Sequence, residues 1–103
     1  MALPTLTLEQ RQASLAKARE ARAARSALLA EVKAGALTLA ALLGREDELA
    51  RRTKASQVLR AVPGVDPARA ATIMDHAGFP AERRIGGLGI RQREQLLAEI
   101  AGQ

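Results

Sequence analysis

The chain has 103 residues, of which 48% are hydrophobic, and its sixteen Lys and Arg against eleven Asp and Glu give a formal net charge of +5. The length fits one small domain, and the apolar content is too high for a disordered tail. The lack of cysteine excludes disulfides, zinc fingers and cysteine nucleophiles. A basic surface on so small a chain favours a polyanionic partner, usually a nucleic acid.

The first predicted element is a long helix from Leu8 to Ala34. It follows a capping box at Thr7 to Gln10 and ends before Gly35. Because no large apolar side chain occurs between Ala16 and Ala27, we expect its middle to project or to lie along a surface. At 100° per residue its glutamates share one narrow face and most of its basic residues lie opposite. This segregation predicts a secondary nucleic-acid-binding stripe of Arg11, Arg19, Arg22 and Arg25.

Shorter elements follow the long helix. The sequence TLAALL predicts a short helix with Thr38 as its N-cap and Gly44 as its stop. The charged segment 45–52 is interpreted as either a turn or a ragged piece of helix. A further helix is predicted from Lys54 to Val62, with Thr53 as its cap and an apolar face formed by Ala55, Val58, Leu59 and Val62.

Two more helices complete the prediction. Asp66 and Pro67 open one that ends at Gly78, with a buried face of Ala70, Ile73, Met74 and Ala77. The last runs from about Ile90 to Ala101, with Ile90, Leu97 and Ile100 turned inward. No β-alternating run of useful length occurs, so we predict an all-α fold. We divide the chain into an extended N-terminal helix, 1–34, and a helical domain, 35–103.

Two glycine-marked turns, at 62–70 and 85–93, place backbone amides at or just before a helix N-terminus. Such amides attract an anion, and glycine lets a phosphate approach the backbone closely. Each turn could instead be an ordinary helix connection, but three glycines in four positions exceed what a cap needs. The predicted binding residues are Pro63, Gly64, Val65, Arg83, Arg84, Gly86, Gly87, Leu88, Gly89, Arg91 and Arg93.

No residue pattern typical of an enzyme occurs in the sequence. It has no carboxylate pair, no nucleophile with its base, no metal-ligand spacing and no Walker loop. The single histidine, His76, has no partner motif and is interpreted as a surface or cap residue. We therefore predict no catalysis, no cofactor and no metal. No apolar run approaches a membrane span and no signal-peptide order precedes the long helix, so we expect a cytoplasmic protein.

Two long stretches, ALPTLTLEQRQASLAKAREARAARS and RTKASQVLRAVPGVDPARAATIM followed by RRIGGLGIRQREQLL, resemble the actinobacterial type of integration host factor. The element RR-x-x-GLG-x-R-Q is the most specific part of the resemblance. It implies an all-helical protein with a long N-terminal helix and a helix–two-turns–helix (H2TH) module. The same module occurs in a small-subunit ribosomal protein and in some DNA repair glycosylases.

The resemblance also implies a function. Members of that family are nucleoid-associated proteins that bind duplex DNA with little sequence preference, bend or compact it, and assist phage integrase. Carried over by position, the phosphate-binding turns are Pro63 to Val65 and Gly87 to Gly89, preceded by Arg83 and Arg84. This chain departs from the family pattern at Gly86, where a further basic residue is usual, and at Asp66, where a glycine or small residue is usual.

Two alternatives stay open at this stage. An RNA-binding protein could use the same hairpin module, although the single aromatic residue, Phe79, argues against stacking on single strands. A pure interaction protein could use the long helix as a coiled coil, but the alanine-only middle lacks a seam of large residues. We expect a monomer in the absence of DNA.

Overall fold

The computed structural model describes residues 7–101, and between these bounds it is all-α. The helices are α1 (Leu8–Lys33), α2 (Leu39–Leu43), α3 (Glu48–Arg52), α4 (Ala55–Ala61), α5 (Pro67–Ala77) and α6 (Ile90–Ala101), with a single 3₁₀ turn at Ile85–Gly87. No helix in this part of the chain is long and apolar enough to cross a membrane. The predicted segments 1–34 and 35–103 also contain residues 1–6 and 102–103, which lie outside the described residues, so that division stays a prediction.

Helix α1 is capped as its sequence predicts, and it reaches the core only near its C-terminal end. The Thr7 hydroxyl accepts the Gln10 amide (3.0 Å), and the Gln10 side chain accepts the Thr7 amide (2.9 Å). Every residue from 7 to 24 is exposed, and only Leu28 and Val32 of this helix are buried. The alanine-rich middle therefore projects, and it gives the molecule its long dimension of 55 Å against 31 and 26 Å.

The core forms where α2 to α6 meet the last turns of α1. The largest side chains that are at most 1% exposed are Leu42, Leu59, Ile73, Ile85 and Leu96. Each of the five comes from a different element, so the core holds together the whole compact end of the molecule. Its apolar burial is the main stabilising contribution in a domain of this size.

The structure decides one prediction about the short helices and corrects another. Segment 45–52, for which the sequence allows a turn or a piece of helix, contains helix α3 at Glu48–Arg52 with Asp47 as its cap. Thr53 does not cap α4: it ends α3, it is 1% exposed, and its hydroxyl donates to the Leu49 carbonyl (2.7 Å). Thr53 directly precedes the predicted helix start at Lys54 and so resembles an N-cap in sequence, but α4 begins at Ala55 and the Thr53 hydroxyl bonds backward instead.

The predicted inward face of α6 is also partly wrong. Ile90 is 78% exposed, whereas Leu96 is completely buried, and Leu97 and Ile100 are half-buried. Six residues at 100° each place Ile90 about 120° round the helix from Leu96, in the first turn and at the edge of the apolar stripe. The core does not extend to that edge, so Ile90 faces solvent.

Candidate nucleic-acid interface

A short antiparallel contact fixes the arginine pair that precedes the second glycine turn. The Ala55 amide donates to the Arg83 carbonyl (2.9 Å), and the Ile85 amide donates to the Thr53 carbonyl (2.9 Å). The Ile85 side chain, 1% exposed, anchors the same segment in the core. This anchoring holds Arg83 and Arg84 beside the end of α3, the first half-buried and the second exposed.

Both arginines line an open groove of about 730 Å³ between α3 and the 3₁₀ turn. Arg83 donates from Nη1 to the Gly87 carbonyl (3.2 Å), and Arg84 donates from Nη1 to the Arg52 carbonyl. Each bond orients one guanidinium and leaves further N–H donors of that group available. The remaining walls are Glu46, Glu48, Arg51, Arg52, Pro80, Glu82, Gly86 and Gly87.

Helix α3 supplies two arginines that sequence reasoning missed, Arg51 and Arg52. The helix is fixed by Asp47, whose Oδ2 accepts the Ala50 amide (3.2 Å) and whose Oδ1 accepts from Arg45 Nε (2.7 Å). The hydrogen bond from Arg45 lowers the pKa of the Asp47 carboxyl, so the cap stays ionised. The signal that could have identified these arginines is their place four and five residues after an aspartate N-cap, in the last turn of a short helix.

The three glycines of the second turn differ in the atoms that a side chain at each position would meet. A Cβ at Gly86 would lie 3.0 Å from Arg51 Nε and 3.3 Å from the Arg51 carbonyl oxygen, so this glycine makes room for α3. A Cβ at Gly87 would meet only Arg83 Cδ, at 3.0 Å, and at Gly89 the nearest atom would be 3.8 Å away. Gly87 and Gly89 are exposed, so their backbone is open to a ligand, as glycine permits.

Helix α6 begins directly after Gly89, which has no side-chain oxygen to cap it. The Gly89 amide donates to Gln92 Oε1 (3.0 Å), and the Gly89 carbonyl accepts the Arg93 amide (3.0 Å). Glycine has no side chain to accept the first-turn amides, which carry the positive end of the helix dipole. The exposed Arg91 adds a full charge in the same turn.

Arg93, which the sequence also suggests as a ligand-binding residue, points into the protein. Its guanidinium donates to the carbonyls of Leu43 (2.8 Å), Ile85 (3.3 Å) and Leu88 (3.3 Å). These bonds tie α6 to the end of α2 and to the 3₁₀ turn. Arg93 therefore positions the turn, and Leu88, whose side chain is buried, can offer only its backbone to a ligand.

The structure does not bring the first glycine turn, Pro63 to Val65, into this groove. Gln92 at the start of α6 donates to the Gly78 carbonyl at the end of α5 (3.2 Å), whereas Arg69 near the start of α5 donates to the Glu99 carbonyl near the end of α6 (3.4 Å). The two helices therefore run in opposite directions. Their N-terminal turns are separated by the length of α5, about 16 Å for eleven residues.

The first turn also carries less positive potential than the second. Asp66 caps α5 by accepting the Arg69 amide at 2.7 Å, so a carboxylate already occupies that helix N-terminus. Val65 is buried, and Gly64 adopts φ = 84°, a conformation that favours glycine. The role of Pro63 to Val65 in binding stays a prediction, and the second turn is the stronger candidate.

Helix α1 brings one of its four candidate arginines to a recess that adjoins the groove. Arg25 lines a recess together with Arg52 and Arg84, where the last turns of α1 approach α3. Arg22 lines a neighbouring recess, and Arg11 and Arg19 are exposed on the projecting part of the helix. The stripe therefore extends from the groove along α1.

Acidic residues moderate the charge of the groove. Four arginines and three glutamates line it, and Arg52 Nη2 lies 3.0 Å from Glu48 Oε1. Both partners of that ion pair are mostly exposed, so it contributes little to stability. No group of three acidic or histidine side chains within residues 7–101 could hold a metal ion. The chemistry that the groove can supply is the binding of an anion by guanidinium and backbone N–H groups.

Comparison with known proteins agrees with this architecture. Residues 32–100 match the family model described as S13-like H2TH domain. Over 102 residues the chain is 43% identical to the Integration host factor of Mycobacterium tuberculosis and to that of Mycolicibacterium smegmatis, and 39% identical to that of Streptomyces coelicolor. These alignments cover 97% of this chain and 97%, 97% and 95% of the three relatives.

A solved structure, that of sIHF bound to an 8-bp palindromic DNA, is similar with a TM-score of 0.76 at 32% identity. The match covers 82% of this chain and 97% of that one. The sequence similarity extends over nearly the whole chain and the fold similarity over 82% of it, which confirms the resemblance seen in the sequence. The chain belongs to the family of actinobacterial integration host factors and contains an S13-like H2TH domain.

Proposed function

We propose that this protein binds duplex DNA through the phosphate backbone, with little sequence preference. The observation that carries the proposal is the groove in which Arg83 and Arg84 are held at the surface by a buried anchor, next to the open backbone of Gly87 and Gly89. The similar fold of DNA-bound sIHF supports duplex DNA as the polyanion.

The binding mode follows from the donors that the groove offers. Guanidinium groups and helix-start amides form charge-assisted hydrogen bonds with phosphate oxygens. Such contacts position a protein on the duplex but do not read bases. Sequence preference then arises only from the width and flexibility of the DNA grooves.

The arginine stripe of α1 extends the proposed contact beyond the groove. Contact of one duplex with Arg83 and Arg84 in the groove and with Arg25 and Arg22 on α1 is the basis on which we propose that the protein bends DNA. We propose that the protein acts as a monomer in the nucleoid. By bending or compacting DNA there, it would assist phage integrase. Smooth bending of a short duplex costs roughly 1–6 kcal/mol, which the additional phosphate contacts offset.

Fluorescence anisotropy with a labelled duplex tests the proposal. The double variant Arg83→Ala, Arg84→Ala should bind about tenfold more weakly or worse, because two charge-assisted contacts are lost. The matched control Lys17→Ala, Arg60→Ala removes the same charge away from the groove and should stay within about threefold of the parent. Equal losses in both variants would show that net charge acts without this site.

A second arm of the same experiment addresses RNA. Unlabelled duplex DNA and duplex RNA of one sequence compete for the bound protein. We expect the DNA to compete at least as well as the RNA, because the similar solved structure is bound to DNA. A protein can distinguish the two by helix geometry and by the 2′-hydroxyls. Much stronger competition by the RNA would assign the groove to an RNA-binding function instead.

A further inference from the structure

We infer that Arg51 is a further phosphate-binding residue of the groove and that the missing side chain of Gly86 is what lets it lie there. This inference rests on the proposed function and adds a residue to the same site. It concerns a pair of positions, 51 and 86, that are distant in sequence and adjacent in the fold.

The geometry at Gly86 carries the first step. A Cβ on this residue would lie 3.0 Å from Arg51 Nε, 3.1 Å from Arg51 Cβ and 3.3 Å from the Arg51 carbonyl oxygen. Arg51 Nε and Arg51 Cβ lie at nearly equal distances from this point, so the Arg51 side chain runs across the face of Gly86. Arg51 therefore fills the space that a side chain at position 86 would take, and it brings a guanidinium into the groove from α3.

The second step concerns the hydrogen-bonding partners of the arginines in the groove. Arg52 is paired with Glu48, Arg83 donates to the Gly87 carbonyl, and Arg84 donates to the Arg52 carbonyl. Within residues 7–101 the Arg51 guanidinium has neither an ion pair nor a hydrogen bond, and the exposed Arg51 side chain lines the groove. All five of its N–H donors are thus available to phosphate oxygens, which accept a guanidinium fork in bidentate fashion.

Arg51→Gln tests the charge while keeping a long side chain over Gly86. We expect DNA affinity to fall about fivefold and the slope of log K against log salt to flatten by about one. Arg60→Gln is the matched control, since it removes one charge from an exposed position on α4, and it should change affinity by less than about twofold. Circular dichroism and the thermal midpoint confirm that both variants are folded.

Exchanging Arg51 and Gly86 tests whether a guanidinium from either position reaches the same part of the groove. Arg51→Gly alone should weaken binding about fivefold, and the double variant Arg51→Gly, Gly86→Arg should return to within about twofold of the parent, because the charge re-enters from the other side. A folded double variant that binds no better than Arg51→Gly would overturn the claim that positions 51 and 86 share a site.

Failure of this inference is distinguishable from failure of the proposed function. If Arg51→Gln binds as tightly as the parent while Arg83→Ala, Arg84→Ala loses binding, Arg51 is not a ligand of the phosphate and the groove remains the site. If none of these variants loses affinity, the groove itself is not the DNA-binding surface. Both results overturn the assignment of Arg51.

Discussion

At the residue scale, Gly89 is a position where charge should act differently on folding and on binding. It stands immediately before α6, and a Cβ there would meet no atom closer than 3.8 Å. Its φ lies outside the left-handed region, so other residues can adopt its conformation. Aspartate and asparagine are equally good helix N-caps, and they differ in charge at nearly constant shape.

We predict that Gly89→Asp weakens DNA binding about three- to tenfold, because its carboxylate neutralises the helix-start dipole and repels a phosphate. Gly89→Asn should bind within about twofold of the parent. Both variants should be at least as stable as the parent in thermal unfolding. Equal losses of affinity in the two variants would mean that the turn excludes a side chain for steric reasons, whatever its charge.

Arg93 should behave as a structural residue, in contrast to the arginines of the groove. Arg93→Met removes hydrogen bonds to three backbone carbonyls, so we expect the free energy of unfolding to fall by about 2 kcal/mol. The thermal midpoint should drop by roughly 10 °C in a domain of this size. An unchanged thermal midpoint together with a flatter slope of log K for DNA binding against log salt would show instead that Arg93 binds phosphate, as its sequence context suggests.

The sequence predicts residue types at the site better than it predicts their directions. Arg83 and Arg84 lie at the surface groove, where a basic pair before a glycine turn is expected to lie. Nothing local shows that Gly86 faces Arg51, because that contact joins elements 35 residues apart. Likewise, only the fold shows that the Arg93 side chain reaches inward, since an arginine in the first turn of a helix has the same local pattern whether it binds carbonyls or a ligand.

At the element scale, the α5–α6 pair should make stability depend on acid pH. Glu99 accepts a hydrogen bond from His76 Nδ1 (2.8 Å) and lies 3.9 Å from Arg69 Nη2. The His76 hydrogen bond, assisted by Gln95, lowers the pKa of the Glu99 carboxyl. A depressed pKa in the folded state means that this stabilisation is present at neutral pH and is lost as the pH falls through the folded value.

We therefore expect the thermal midpoint to decline between about pH 5 and pH 3, and to decline less steeply in Glu99→Gln. Asp47 has a lowered pKa from its bond with Arg45, so part of the decline should persist in that variant. The measurement is thermal unfolding across this pH range at constant ionic strength. Parallel curves for parent and variant would show that the Glu99 contacts do not contribute.

Capping signals predict the helix bounds well where the cap is local. Thr7, Thr38 and Asp66 all cap the helices that follow them, because each side chain bonds an amide three residues away. Thr53 fails as a cap because its hydroxyl bonds the Leu49 carbonyl behind it. The exposure of Ile90 could not be predicted either, since periodicity indicates a face of a helix but not where the core ends.

At the scale of the whole molecule, the charge distribution predicts weak sequence discrimination. The groove and the α1 stripe offer arginines and backbone amides, which contact phosphates and sugars. We expect affinities for unrelated duplexes of equal length to differ by less than about tenfold, with flexible sequences preferred. Anisotropy titrations against a panel of random duplexes measure this spread. One site bound hundreds of times more tightly than the rest would contradict backbone recognition.

The salt dependence of DNA binding tests most directly whether this protein neutralises phosphates in the groove between α3 and the 3₁₀ turn. With about four to six phosphates engaged, log K against log salt should have a slope of about −4 to −5 for the parent. In Arg83→Ala, Arg84→Ala the slope should flatten by about two, with helical content unchanged. A slope near zero for the parent, or an unchanged slope in the folded double variant, would contradict the account.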